Sequence, residues 1–278
     1  MSIELLGDRY HVEHHGDPNG EAVLFLHGFS QSSATWLPVI AELPGMPDGE
    51  RLHPVLLDLI GHGRSAKPGG AGPYALEHVV EVIETLRVSA DLGRIHLVGY
   101  SMGGRIALAY AVRYPGSLRT LVLESASFGP RTPEERAAMA ERDRALAERL
   151  RSSTPEEFAG WWAQMPALAS QGDLPDAMRE AEAAMRRDND VRALALATLG
   201  AGQGAMPDLW DAASRLPMPL TYLTGTRDER YAALASAAEA EWGLDVRRFA
   251  AGHNVHLEAP SQYARTLSEV LAKGREPR

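Results

Sequence analysis

The sequence predicts an α/β fold in which helices cover both faces of a mostly parallel sheet. Short apolar, β-branched runs alternate with helical stretches along most of the chain. Two of these runs, residues 22–26 and 95–98, are too short for buried helices and are typical of central strands. The alternation stops between about residues 129 and 216, where Ala, Arg and Glu dominate. An all-helical insertion late in an α/β core is therefore expected.

The individual elements follow from the same patterns. Strands are predicted at residues 9–15, 21–27, 54–58, 94–99, 119–124, 220–225 and 245–250. Helices of the core are predicted at residues 33–43, 76–92, 102–114, 231–241 and 260–272. Further helices within the insertion are predicted at residues 175–187, 191–201 and 208–215.

Composition and charge exclude several classes of protein. The 278 residues include no cysteine, so disulfides, a cysteine nucleophile, zinc ribbons and iron–sulfur clusters are excluded. The net charge of −9 disfavours binding to phosphate backbones, and nucleic acid is not an expected partner. No run of 18 apolar residues is present. Residues 1–8 carry acids where a signal peptide needs basic residues. A cytoplasmic protein without membrane insertion is expected.

The insertion divides the chain into residues 1–129 and 215–278 of the core and a helical segment, residues 130–214. Two of its helices begin with the same motif, Thr132-Pro133-Glu134-Glu135 and Thr154-Pro155-Glu156-Glu157. Thr at N-cap, Pro at N1 and Glu at N3 form a capping box, and the acids complement the helix dipole. A helical segment at the carboxyl edge of a sheet is expected to act as a substrate lid. The alternative is a subdomain without a functional role.

The strongest local motif is Gly99-Tyr100-Ser101-Met102-Gly103. It follows a predicted strand and opens a helix, which is the context of a nucleophile elbow. The glycines two residues before and after Ser101 allow neighbouring backbone to approach closely. Ser101 is therefore the predicted nucleophile or base. The alternative is a plain N-cap serine.

An oxyanion hole is predicted beside Ser101. Gly28 in the run His27-Gly28-Phe29 permits a turn that aims the Phe29 N–H at the serine, and the Met102 N–H supplies a second donor. His27 itself is interpreted as a structural histidine that holds this loop.

The acid and the base are predicted in loops after the last two strands. Asp228 follows the strand at 220–225, at the sheet edge that presents active residues. His253 lies in the next loop, and His256 is interpreted as structural. Two alternatives remain: Asp228 as a solvated or capping acid, and the two histidines as zinc ligands. The chain order Ser101, Asp228, His253 is that of α/β-hydrolases.

These motifs resemble the α/β-hydrolase superfamily, and the resemblance covers nearly the whole chain. The general motifs are Phe25-Leu26-His27-Gly28-Phe29, Asp58-Leu59-Ile60-Gly61-His62-Gly63-Arg64-Ser65 and the elbow. Within it, the chain is most similar to the 2-succinyl-6-hydroxy-2,4-cyclohexadiene-1-carboxylate synthases of menaquinone biosynthesis. That similarity rests on Tyr100-Ser101-Met102-Gly103-Gly104-Arg105, Leu123-Glu124-Ser125-Ala126-Ser127, Phe158-Ala159-Gly160-Trp161, Pro207-Asp208-Leu209-Trp210 and Ala251-Gly252-His253-Asn254-Val255-His256.

The resemblance implies a lyase and not an ester hydrolase. A ring proton is removed from a succinyl-enolpyruvyl-cyclohexene carboxylate and pyruvate is expelled. Ser101 acts as a base, polarised by His253 and oriented by Asp228, while the Phe29 and Met102 N–H groups hold the charge that develops on the substrate. The partner is then a small polycarboxylate, and neither a cofactor nor a metal is expected. The chain is expected to be a monomer or a small homo-oligomer.

Three further residues are expected to hold the substrate. Arg105 lies one helical turn after Ser101 on the same helix face, and arginine pairs well with carboxylates. The resemblance assigns this position, Tyr100 and the lid residue Trp161 to substrate binding. The alternatives are a surface cation for Arg105 and a packing role for Trp161.

One departure from the family pattern lies on the first lid helix. Well-marked members have an Arg where this chain has Met139, which is expected to pack inward. Arg136 and Arg142, one turn to either side, are candidates to replace that contact. The alternative function is a serine hydrolase, a carboxylesterase or carbon–carbon bond hydrolase, with the same triad. A scaffold that only binds a ligand is a third hypothesis.

Overall fold

The computed structural model describes residues 1–43 and 51–274. The strands in this part of the chain are β1 (Ser2–Leu5), β2 (Asp8–His14), β3 (Glu21–Leu26), β4 (Leu52–Leu57), β5 (Ile95–Tyr100), β6 (Leu118–Glu124), β7 (Leu220–Gly225) and β8 (Asp245–Phe249). They form one sheet in the order β1-β2-β4-β3-β5-β6-β7-β8. Strands β3 to β8 pair in parallel, and β1 and β2 are antiparallel at one edge. The predicted fold class is confirmed.

Strand β1 is absent from the sequence-based prediction. It pairs with β2 through a two-residue loop in which Leu6 and Gly7 have φ values of 50° and 91°. Positive φ at both positions is what a tight hairpin between twisted strands requires. Strand β1 is only four residues long and exposed at two of them, and it lacks the continuous apolar run that predicts the central strands.

The helices alternate with the strands and lie on both faces of the sheet. They are α1 (Leu37–Glu42), α2 (Leu76–Ser89), α3 (Met102–Arg113), α4 (Pro133–Arg151), α5 (Pro155–Trp162), α6 (Asp176–Arg187), α7 (Val191–Ala201), α8 (Trp210–Ser214), α9 (Glu229–Trp242), α10 (Val255–Glu258) and α11 (Pro260–Leu271). The helix predicted at 33–43 is a 3-10 turn, Ser33–Trp36, followed by α1. Pro38 has no N–H to donate four residues back, which prevents one continuous α-helix.

The core lies on the two faces of the sheet. In β3, Leu24 and Leu26 belong to the apolar cluster that contains α2 and α3, whereas Val23 and Phe25 belong to the cluster with α1 and α11. All four are fully buried. A central parallel strand buried on both faces reads as a continuous apolar run, as the sequence shows here.

The segment between β6 and β7 contains helices and turns only, a statement that covers residues 125–219, all of them described. Thr132 accepts a hydrogen bond from the Glu135 N–H, and Thr154 and Glu157 form a reciprocal capping box. A small apolar cluster of its own holds α4, α5 and α7 together. Throughout residues 1–43 and 51–274, no helix combines the length and apolarity of a membrane span.

Candidate active site

Ser101 lies in a strained turn between β5 and α3. Its φ of 50° is in the left-handed region, which costs energy for a residue with a side chain. Crowding around the turn explains the flanking glycines. A Cβ on Gly103 would lie 2.3 Å from the Leu26 carbonyl oxygen, and one on Gly99 would lie 2.5 Å from the Gly103 carbonyl oxygen. The turn presents the serine at the carboxyl end of the sheet.

The structure brings Ser101, Asp228 and His253 together. His253 Nδ1 donates to Asp228 Oδ2 at 2.6 Å, and Ser101 Oγ donates to His253 Nε2 at 3.1 Å. The carboxylate fixes the imidazole tautomer, because Nδ1 carries the proton and Nε2 is left as an acceptor. Asp228 also caps α9, since its Oδ1 accepts from the Tyr231 N–H. The arrangement can take a proton from the serine hydroxyl.

Two backbone N–H groups, those of Phe29 and Met102, are free beside the serine. Neither donates a hydrogen bond within the part of the chain that the structure describes. The loop of Phe29 is held by His27, whose Nδ1 donates to the Gly28 carbonyl at 2.8 Å and whose Nε2 accepts from the Leu59 N–H at 3.0 Å. His27 therefore holds the loop and does not face Ser101.

His256 lies apart from the triad, in the layer beneath it. Its Nδ1 donates to Glu124 Oε2, and its Nε2 accepts from the Thr35 hydroxyl, each at 2.8 Å. The ring stacks on Trp36 with centroids 4.1 Å apart. The two imidazoles of the terminal loop, His253 and His256, thus bind different partners and do not converge on a shared ion.

A cavity of about 770 Å³ opens above the triad, between the core and the helical segment. On one side it is lined by residues of the Phe29 loop and the triad loops, and on the other by residues of α4, α5, α6, α7 and the turn Pro166–Asp173. Its charged lining residues are Arg105, Asp143, Arg186, Arg227, Asp228, Glu229 and Arg230.

Tyr100 and Arg105, both predicted to bind substrate, line this cavity. The Tyr100 ring packs 5.3 Å from that of His253, and burial raises the pKa of the Tyr100 phenol well above its usual value. Arg105 is buried, which lowers its pKa. Its Nη2 donates to the Ala201 carbonyl oxygen at 3.2 Å, but its Nε has no partner. A buried arginine with a free donor is poised for a carboxylate.

Trp161 lies outside the cavity lining, and its neighbour Trp162 lies in it. The Trp161 Nε1 donates to Ser153 Oγ at 3.3 Å, and the Arg149 guanidinium lies 3.9 Å from the Trp161 ring centroid. Trp162 packs against Phe29 with ring centroids 5.0 Å apart. The structure therefore places Trp162, and not the predicted Trp161, in the lining of the cavity.

The candidates to replace the missing lid arginine do not reach the cavity either. Neither Arg136 nor Arg142 is among its described lining residues. Arg136 Nη1 donates to the Met206 carbonyl oxygen at 2.7 Å, and Arg142 is exposed. Met139 is half-buried on the same helix and also lies outside the lining.

Arg186 of α6 is the lid arginine that does line the cavity, and the sequence analysis missed it. It is 5% exposed, and its Nη2 donates to Gln171 Oε1 at 2.6 Å and to Glu182 Oε2 at 3.4 Å. Burial lowers its pKa. Its Nε has no partner. The signal available in the sequence was the Glu182–Arg186 pair, four residues apart on one helix face.

Comparison with known proteins places this site in a family. A model of the alpha/beta hydrolase fold matches residues 21–260, a span that includes Ser101, Asp228 and His253. The chain belongs to the alpha/beta hydrolase fold family.

Within that family, the chain is similar to particular proteins. It is 35% identical to the 2-succinyl-6-hydroxy-2,4-cyclohexadiene-1-carboxylate synthase of Enterobacter sp. (strain 638), over 92% of this chain and 93% of that protein. MenH from S. aureus superposes with a TM-score of 0.85 at 25% identity, over 96% of this chain and 99% of the other. A malate-bound thermophilic esterase from Thermogutta terrifontis superposes with a TM-score of 0.80 at 26% identity, over 99% and 100%. The resemblance inferred from the sequence is confirmed.

Proposed function

We propose that this chain is a lyase that forms 2-succinyl-6-hydroxy-2,4-cyclohexadiene-1-carboxylate by eliminating pyruvate from 2-succinyl-5-enolpyruvyl-6-hydroxy-3-cyclohexene-1-carboxylate. The main observation behind the proposal is that the hydrogen-bonded triad Ser101–His253–Asp228 lines a cavity that also contains two buried arginines. The similarity to the Enterobacter synthase over nearly the full length supports it.

The elimination of pyruvate requires a base and groups that stabilise the negative charge that develops on the substrate. His253 Nε2 draws the hydroxyl proton of Ser101, and the serine oxygen removes a ring proton from the substrate. The electron pair of the C–H bond at ring carbon 2 forms the double bond between carbons 2 and 3. The existing double bond between carbons 3 and 4 moves to carbons 4 and 5 as the C–O bond from carbon 5 to the enolpyruvyl group breaks. The leaving group departs as the enolate of pyruvate and takes the proton that His253 received. Ser101 keeps the ring proton on its hydroxyl, so the triad returns to its starting state. The Phe29 and Met102 N–H groups stabilise the negative charge that develops on the succinyl carbonyl oxygen next to the deprotonated carbon.

The proposed class of substrate rests on buried side-chain hydrogen-bond donors at the cavity that have no partner. Four residues that line the cavity each carry a buried donor without a hydrogen-bond partner in the described structure: Arg105 Nε, Arg186 Nε, Gln171 Nε2 and Asn254 Nδ2. The Gln171 amide cannot be reversed, because its oxygen accepts from Arg186, which can only donate. Buried donors without partners are costly, so they favour a ligand rich in acceptor oxygens. A small polycarboxylate meets that need.

The helical segment, residues 130–214, acts as the lid in this proposal, over a core of residues 1–129 and 215–278. Its contribution to the cavity includes Asp143, Trp162, Gln171 and Arg186. The enzyme is proposed to be a cytoplasmic monomer or small homo-oligomer that uses no cofactor and binds neither nucleic acid nor membrane.

The direct test is a spectrophotometric assay on enzymatically generated substrate. Diene absorbance and pyruvate are followed together, against the spontaneous rate without enzyme. We expect one pyruvate per diene at a rate well above background. Release at the spontaneous rate only would contradict the proposal.

A serine hydrolase is the second candidate, favoured by the intact triad and by the similarity to the esterase. A burst of acylation at Ser101 with p-nitrophenyl esters, followed by fast turnover, would support the hydrolase. Slow ester turnover together with pyruvate release supports the lyase.

Arg186→Ala is expected to lower kcat/KM for pyruvate elimination by about 10- to 150-fold, which corresponds to about 1.5–3 kcal/mol for a hydrogen bond to a charged group. The matched control is Arg187→Ala on the same helix, where the side chain is exposed and paired with Glu180. Steady-state kinetics on both variants, with thermal melts to confirm folding, provide the measurement. Equal kinetic constants for the two folded variants would show that Arg186 does not bind the substrate.

A further inference from the structure

Glu258 is a nearly buried carboxylate at the end of α10 that receives three hydrogen bonds. Its side chain is 4% exposed. Its Oε2 accepts from the Gly252 N–H at 2.8 Å and from Arg227 Nη2 at 2.9 Å, and its Oε1 accepts from the Ser170 hydroxyl at 2.8 Å. A carboxylate removed from water is stable only when charge and donors compensate it, and here both do.

Two of these donors stand next to triad residues. Arg227 directly precedes Asp228, and Gly252 directly precedes His253. The two loops are also joined by the Arg227 N–H, which donates to the Ala251 carbonyl oxygen at 2.9 Å. Glu258 therefore binds both the loop that contains Asp228 and the loop that contains His253. Both contacts are one residue away from the Asp228–His253 hydrogen bond.

The third donor belongs to the helical segment. Ser170 lies in the turn Pro166–Asp173, most of which lines the cavity. Asp173 of the same turn pairs with Arg227 Nη1 at 2.8 Å. The fit is close, because a Cβ on Gly252 would lie 1.9 Å from Ser170 Oγ. The same carboxylate thus touches the lid and both triad loops.

We infer that Glu258 is a positioning residue. It keeps Asp228 and His253 at hydrogen-bonding distance from each other and holds the 166–173 turn of the lid against the loops that carry them. Its carboxylate acts through the Gly252 N–H and the Arg227 guanidinium on the triad, and through the Ser170 hydroxyl on the lid. One side chain then contributes both to closure of the cavity and to alignment of the triad. This inference rests on the proposed catalytic role of the triad and holds for either candidate reaction.

The test compares Glu258→Ala and Glu258→Gln with Ser170→Ala, which removes only the lid contact. One readout is the rate at which a small fluorophosphonate labels Ser101, and another is the low-field proton NMR signal of His253 Nδ1–H. We expect Glu258→Ala to slow labelling about ten- to hundredfold, because small misplacements of catalytic groups have effects of that size, and to shift the signal. Glu258→Gln, which keeps the shape and one acceptor oxygen, should fall between it and the parent protein.

Ser170→Ala should leave the labelling rate and the NMR signal unchanged and raise KM for the substrate severalfold at constant kcat. Lower melting temperatures for the Glu258 variants with unchanged labelling and an unchanged signal would overturn the inference, since the carboxylate would then only stabilise the fold. If Glu258→Ala does not fold, the isosteric Glu258→Gln decides the question by the same two readouts. Neither labelling nor NMR requires the proposed substrate, so failure of the lyase assay would leave this test intact.

Discussion

Ser101→Ala is expected to lower kcat for pyruvate elimination by about 10²–10⁴-fold, the usual contribution of a positioned acid–base group. The Ser101 hydroxyl lies 3.1 Å from His253 Nε2, and in the proposed mechanism its oxygen receives the substrate proton. KM should change little, because the arginines and amide donors that are proposed to hold the substrate stay in place. Initial rates of diene formation and pyruvate release measure both parameters.

The matched control for this variant is Thr198→Ala. Thr198 lines the same cavity, but its hydroxyl donates to the Leu194 carbonyl oxygen of its own helix and not to the triad. We expect near-parent kinetics for it. Full pyruvate release by Ser101→Ala would show that another group removes the proton, and the role proposed for the triad would have to be abandoned.

Asp228→Asn is expected to lower kcat by about 10³–10⁴-fold, through the tautomer of His253. The carboxylate accepts from Nδ1 at 2.6 Å, whereas an asparagine can turn its NH₂ toward the ring and favour a proton on Nε2. An Nε2–H cannot take the serine proton. The readouts are kcat and the rate of Ser101 labelling by fluorophosphonate, and both should fall together.

This variant separates chemistry from folding. Asp228 caps α9 through the Tyr231 N–H, and asparagine caps helices about as well as aspartate. The thermal melt of Asp228→Asn should therefore stay close to that of the parent protein. A large loss of stability with labelling retained would assign Asp228 to the fold and not to the site.

The apolar pattern of the sequence predicted the core, because the burial of each central strand is visible in a few consecutive residues. Buried parallel strands need continuous apolar runs, and each run marks one strand. Because the carboxyl ends of parallel strands share one edge of the sheet, residues in the loops after three of these strands meet there, as Ser101, Asp228 and His253 do. Strand β1 escaped prediction because it is short, exposed and specified mainly by its hairpin turn.

Which lid side chains face the cavity was not predictable in the same way. Successive residues of a helix point about 100° apart, so the rotation of the short helix α5 about its own axis decides whether Trp161 or Trp162 faces the cavity. Such a rotation is set by packing against Phe29, a contact between residues far apart in sequence. The same reason explains why a lid arginine reaches the cavity from α6 and not from α4.

The sequence by itself determined the α/β core, the family and the three triad positions. Strand burial and sharp turns depend on residues that are adjacent in the sequence, so a local pattern reveals them. The tertiary structure alone decided the lid contacts of Arg186 and Trp162 and the bracing of two loops and the lid by Glu258. Those features depend on how separately formed helices and loops pack against one another. Packing of that kind involves many weak contacts between distant residues, which no local pattern records.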